Sequence, residues 1–100
     1  IDVPGVFEIP VVIAKNIKKY DGFIALGCII KGETPHFDFI SKTTIDALMR
    51  LSIESKKPIG NGILTCINID QATIRSDPSG TKRKGKEAAE AMLSVLCSKT

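Results

Sequence analysis

The sequence predicts an α/β protein in which a parallel sheet carries helices on both faces, and three observations predict it. Two apolar runs, Gly22 to Ile30 and Ile59 to Ile67, are too short and too β-branched for helices. Neither alternates cleanly between polar and apolar residues, the pattern expected of parallel strands covered on both sides. Stretches of helical period stand between and after these runs, so strands and helices alternate along the chain. Such an order requires crossover connections, which are right-handed in nearly all parallel sheets.

Taken in order, Val3 to Ile9 reads as the remnant of a strand, with a bend at Pro4-Gly5. Ile13, Ile17 and Tyr20 then fall at i, i+4, i+7 and predict a helix. After the Gly22 to Ile30 strand comes a longer stripe of Phe37, Ile40, Thr44, Ala47, Leu48 and Leu51. Lys42, Asp46 and Arg50 occupy its opposite side. The Ile59 to Ile67 strand precedes a short helix, and Ala88, Ala91, Met92, Val95 and Leu96 complete the order as a last amphipathic helix.

One hundred residues suffice for one domain, with no linker or internal repeat to divide residues 1–100. Fourteen basic against eleven acidic residues give +3, which favours small anions without demanding nucleic acid. The longest apolar run, Phe23 to Ile30, is far short of a membrane span, and no leader pattern is present. The expectation is a soluble cytoplasmic protein. Cys28, Cys66 and Cys97 are odd in number and widely spaced, so a disulfide framework or metal site is not expected, and all three read as small core residues.

In parallel sheets chemistry gathers at the carboxyl ends of the strands. Three places qualify: Val6-Phe7-Glu8, Lys31 through His36, and Thr65 to Arg75. The second is the most informative. Gly32 permits a sharp turn, Thr34 can cap a helix and Pro35 suits its first turn. Amides there would hold an anion, aided by the positive end of the helix dipole. His36, the only histidine, would stand beside that anion and can move protons near neutral pH; by spacing alone a surface histidine on the first helical turn is the better reading. Arg75 and the cluster from Thr81 to Lys86 could bind phosphate, or be a solvated basic surface. A nucleic-acid patch would be expected to interleave aromatic residues, and none follows Phe39.

Together these segments closely resemble the lumazine synthase family. The resemblance is carried by Val3-Pro4-Gly5-Val6-Phe7-Glu8-Ile9-Pro10 and by Ala25-Leu26-Gly27-Cys28-Ile29-Ile30-Lys31-Gly32-Glu33-Thr34-Pro35-His36-Phe37-Asp38. Pro58 to Thr65, Asp70-Gln71-Ala72, Arg75 and Lys84-Gly85-Lys86-Glu87-Ala88-Ala89 continue it in order, over essentially the whole chain. It implies a flavodoxin-like, three-layer αβα sandwich that lacks its N-terminal strand here. The implied reaction condenses 5-amino-6-(D-ribitylamino)uracil with 3,4-dihydroxy-2-butanone 4-phosphate to 6,7-dimethyl-8-ribityllumazine, a step of riboflavin biosynthesis. It needs no cofactor and no metal.

By the same resemblance, Val6, Phe7 and Glu8 face the pyrimidine, and Glu8 accepts hydrogen bonds from the ribityl hydroxyls. Backbone groups of Cys28, Ile29 and Ile30 read the uracil edge. Glu33 and Thr34 amides, Arg75 and Lys84 hold the phosphate, and His36 transfers protons. The implied assembly is a pentamer, or a larger body built of pentamers, with sites between subunits and with Asn61 and Arg75 serving the neighbour's pocket. Neither nucleic acid nor membrane is an implied partner. Three departures from the family pattern stand out. A further N-terminal stretch is missing, which implies a fragment or an incomplete pocket. Asn61 replaces an aromatic residue, and Asp77-Pro78-Ser79 lengthens the segment before Lys84. The alternative left open is a non-catalytic αβα module that binds a phosphorylated or flavin-like ligand in the same pocket.

Overall fold

Two β-branched apolar segments meet side by side at the centre of the chain. β1 (Phe23–Ile30) and β2 (Ile59–Cys66) run parallel, with Phe23 opposite Ile59 and Ile30 opposite Cys66. A computed structural model describes residues 1–30, 36–66 and 84–98, leaving out the side chains of His36 and Phe37. The short helix expected before the last one, and Ile67 at the end of its strand, lie outside the described residues.

Parallel neighbours require the chain to cross the sheet between them, and α2 (His36–Ser55) makes that crossover. α2 lies with α1 (Ile9–Lys15) on one face of the sheet. Ile9 and Ile13 of α1 and Leu48 of α2 close over Ala25, Ile29 and Ile63, and these six residues form one buried cluster. On α2, Ile40, Thr44, Ala47, Leu48 and Leu51 are buried or half-buried, while Lys42, Asp46 and Arg50 face solvent, as the stripe requires. The far end of α2 is fastened tightly. Ser52 Oγ donates to the Lys57 carbonyl at 2.7 Å, Lys56 turns the chain at φ 58°, and Lys57 Nζ donates to the Ile17 carbonyl.

The other face of β2 carries α3 (Lys84–Leu96). This contact is made backbone to backbone: a Cβ at Gly60 would lie 2.2 Å from the Ala88 carbonyl oxygen. Helices thus lie on both faces of a parallel sheet, in three layers.

Four expectations change. Val3 to Ile9 is not a strand but a 3-10 turn, Val6–Glu8, running into α1. The reason is Pro10, which sits in the first turn of α1, where a missing N–H costs nothing and a fixed φ is suited to the helix. Helix α1 also ends earlier than the period of Ile13, Ile17 and Tyr20 suggests. Asn16 closes it, its side-chain amide donating to the Val12 carbonyl at 2.7 Å, and Tyr20 is left half-exposed, edge-on to Phe23.

Third, β1 is not covered on both faces among the described residues. Ile24, Leu26 and Ile30 point away from the core, and Leu26 is 61% exposed, because α3 sits chiefly over β2. The end of the α3 stripe is likewise open at Val95 and Leu96. Met92 already packs at Gly22 and Gly60, beside the strand starts, so the next turn of α3 runs past the sheet. Fourth, only Cys66 is a core cysteine, whereas Cys28 and Cys97 are exposed. Cys28 lies on the open face of β1, and Cys97 follows the end of α3.

Candidate functional site

Three helices point their amino ends toward the carboxyl side of the sheet. The carboxyl end of α1 is tied to Lys57, just before β2 begins, so its amino end, beside Glu8, points toward the strands' carboxyl ends. Five residues separate the end of β1 from the start of α2. α3 runs antiparallel to the strands, since Met92 packs near their starts and Gly85 approaches Leu26. The positive ends of the α2 and α3 dipoles are thereby directed toward the carboxyl side of the sheet, a setting that favours an anion.

The turn Val6–Glu8 is held there by a small residue on β1. A Cβ at Gly27 would lie 2.8 Å from Val6 Cγ2, so glycine is what lets the turn rest on the strand. Phe7 then projects outward, 63% exposed, and Glu8 is half-buried. Phe7 and Glu8 share a largely apolar groove of about 340 Å³ with Pro10, Val11, Thr43, Thr44 and Ala47. The contribution of Thr43, Thr44 and Ala47 was not legible in the sequence, where only their helical spacing is visible. A larger groove of about 460 Å³ lies elsewhere, along α1 and the start of β1, lined by residues such as Val3, Ile13, Tyr20 and Phe23.

Cys28, Ile29 and Ile30 form the last residues of β1, with Ile29 facing the core and its two neighbours exposed. His36 is the first residue of α2, which puts its backbone at the helix start expected for it. Lys84, half-buried, is the first residue of α3. Val6 lies against Gly27 and the start of α3 approaches Leu26, both in the middle of β1, while Ile30 and the start of α2 mark its carboxyl side.

Asn61 does not join them within the chain. It pairs with Ala25, four residues before Ile29, roughly 13 Å along the strand at the usual rise. Its Oδ1 accepts the Ile63 N–H at 3.0 Å, and it lines a separate cavity of about 120 Å³ with Leu48, Met49 and Ser52. Glu33, Thr34 and Arg75 lie outside the described residues, as does the His36 side chain.

Cys28 has a close neighbour that the sequence separation hides. Cys66, on the adjacent strand, is near enough to act on its thiol. Desolvation first, and then the neighbouring Cys66 sulfur, raise the Cys28 pKa above a thiol's ordinary value.

A layered parallel α/β protein with helix starts collected at the carboxyl ends of its strands belongs to the class that receives small ligands at that edge. Residues 1–100 match the family model described as 6,7-dimethyl-8-ribityllumazine synthase, and the chain belongs to that family. It is 42% identical to the protein of that name from Corynebacterium kroppenstedtii over 96% of this chain. Identity to the Bartonella tribocorum protein of the same name is 46% over 99% of this chain, and to the Agrobacterium fabrum one 47% over 96%. The chain spans 59%, 67% and 69% of the length of these three relatives respectively. No helix among the described residues is long and apolar enough to cross a membrane.

Proposed function

We propose that residues 1–100 fold as one domain that makes 6,7-dimethyl-8-ribityllumazine from 5-amino-6-(D-ribitylamino)uracil and 3,4-dihydroxy-2-butanone 4-phosphate, in the cytoplasm. The family match along the whole chain carries this reading. The starts of α2 and α3, directed toward the carboxyl side of the sheet, support it, because the reaction expels an anion.

The chemistry asks for two things. The substrate amine attacks a ketone, water leaves to give an imine, inorganic phosphate is eliminated, and ring closure expels a second water. Each step moves a proton while one anion departs, so a proton carrier active near neutral pH and a preorganised anion cradle are the demands. His36 is the proton carrier, at roughly 10²–10⁴-fold in rate. Glu33 and Thr34 amides, Arg75 and Lys84 form the cradle; a guanidinium suits phosphate oxygens because its fork is planar. Val6, Phe7 and Glu8 hold the pyrimidine and its ribityl chain, and the backbone of Cys28, Ile29 and Ile30 reads the ring edge. Holding both reactants together supplies much of the remaining acceleration.

The working unit is a pentamer or a larger assembly, in which Asn61 and Arg75 reach the neighbour's pocket. Asn61's separation from the end of β1 along its own chain favours that arrangement. Mixing the protein with both substrates and following the fluorescence of the lumazine product tests the activity. Product formation with release of phosphate is expected, and ligand binding with no product would overturn it in favour of a binding module. Light scattering tests the assembly, with a mass of five chains or a multiple expected and a monomer contradicting it.

A further inference from the structure

We propose that Cys28 and Cys66 together form a two-coordinate site for a soft metal ion, with Cu(I) the ion it takes. The register places the two cysteines in relation: Cys28 is opposite Leu64 and Ile30 opposite Cys66, so they are diagonal neighbours on adjacent strands. Side chains of paired residues and of every second residue along a strand share a face, so both thiols project from the same side of the sheet. Their exposures differ in a useful way. Cys28 is open to solvent while Cys66 is fully buried, giving an outer sulfur to meet an arriving ion and an inner one to enclose it.

The geometry favours a bridging atom over a direct bond between the sulfurs. An offset of two residues, at about 3.3 Å each, between strands about 4.8 Å apart sets the Cα atoms roughly 8 Å from each other. Disulfides fail beyond about 7 Å unless the backbone moves. Cys66 is nevertheless near enough to act on the Cys28 thiol. A metal ion with sulfur bonds of about 2.3 Å, the zinc–thiolate value, spans roughly 4.6 Å from one sulfur to the other, which relieves the backbone of any shift.

Ligand type and number then select the ion. Thiolates prefer soft metals, and zinc in protein sites is held by three or four ligands. Among the described residues no group of three or more Cys, His, Asp or Glu gathers, and the pair offered there is two sulfurs. Cu(I) accepts that number. On binding, each Sγ–H bond breaks, two protons pass to solvent, and two Cu–S bonds form, leaving a bis-thiolate complex of charge −1 without any change of oxidation state.

The inference does not depend on the catalytic reading, since its readout is metal transfer and not turnover. Reduced protein is titrated under anaerobic conditions against the coloured Cu(I)–bicinchoninate complex, and loss of the colour is followed. The wild-type chain is expected to withdraw one Cu(I), and excess Zn(II) to leave it in place. Second-shell partners of metals are worth 10–100-fold in affinity, so losing a ligand costs about 100-fold or more. That loss is expected of Cys28→Ser, at an exposed position that tolerates the change, and of Cys66→Ala. Circular dichroism checks that each variant is folded. Cys97→Ser is expected to match the wild type. Failure of the wild-type chain to withdraw copper, withdrawal undiminished in folded Cys28→Ser, displacement by Zn(II), or loss in Cys97→Ser would each overturn the proposal.

Discussion

The same substitution, glycine to alanine, is expected to act with opposite sign at two positions, one on β2 beneath α3 and one in the first turn of α3. At Gly60 the added Cβ lands 2.2 Å from the carbonyl oxygen of Ala88, 2.9 Å from its carbonyl carbon and 3.3 Å from Met92 Cβ. Two of those atoms belong to the backbone of α3 and cannot swing aside, so the helix must lift by about 1 Å to restore contact distance. Overpacking of this kind costs about 1–3 kcal/mol. Stiffening of the unfolded chain offsets roughly 0.4–1 kcal/mol of that. A net loss near 1–2 kcal/mol lowers the Tm of a 100-residue domain by roughly 4–16 °C. At Gly85, in the first turn of α3, the nearest atom is a flexible one, Leu26 Cδ2 at 3.8 Å. Alanine there restores helix propensity and is expected to stabilise by about 0.5–1 kcal/mol. Thermal unfolding followed by circular dichroism at matched concentrations reads both variants. An unchanged or raised Tm for Gly60→Ala, or a clear loss for Gly85→Ala, refutes the backbone-to-backbone packing of α3 on β2.

Other perturbations test different parts of the structure. Thr44 is 1% exposed, and its hydroxyl has no hydrogen-bond partner among the described residues, so Thr44→Val removes a buried polar atom at nearly constant shape. Neutrality or a gain of up to about 2 kcal/mol in urea unfolding is expected, and a loss above about 1 kcal/mol contradicts it. The raised pKa of Cys28 means that the folded chain keeps this proton at pH values where the unfolded chain has released it. Its contribution to stability is thus full below a thiol's ordinary pKa and is lost as pH rises through the raised one. Alkylation of Cys28 by iodoacetamide, mapped by mass spectrometry across pH, is expected to have its midpoint above that of a cysteine in an unstructured peptide; a midpoint at or below it contradicts the burial argument. For Arg75→Ala, the Michaelis constant for the phosphorylated substrate is expected to rise with little change for the pyrimidine, and equal constants before and after would remove Arg75 from the cradle.

The strands and the long helix were legible because their signals are local. Phe23–Ile30 and Ile59–Cys66 are runs of apolar and β-branched residues, and the buried positions of α2 follow a 3.6-residue period over five turns. Val3 to Ile9 was misread because an apolar stretch of that length suits a strand and a helix start equally well. Pro10 resolves the choice only when read as a first-turn residue. The open face of β1 was also hidden. A continuous apolar run announces two apolar faces but does not report whether a helix of the same chain lies over each of them.

The site divides in the same way. The helix start at His36 and the end of β1 are set by neighbours in sequence, and both are where the pattern puts them. The groove that Thr43, Thr44 and Ala47 share with Phe7 and Glu8 depends on how α2 lies against the turn before α1, which no local spacing encodes. Cys28 and Cys66 are separated by thirty-seven intervening residues and became partners only through the register of two strands.

The central claim is that a histidine at the first turn of α2 carries protons for a reaction that releases phosphate beside it. The turnover number of His36→Ala, with both substrates saturating and lumazine fluorescence as the signal, tests this most directly. A fall of roughly 10²–10⁴-fold is expected. A turnover number close to that of the unmodified protein would contradict it.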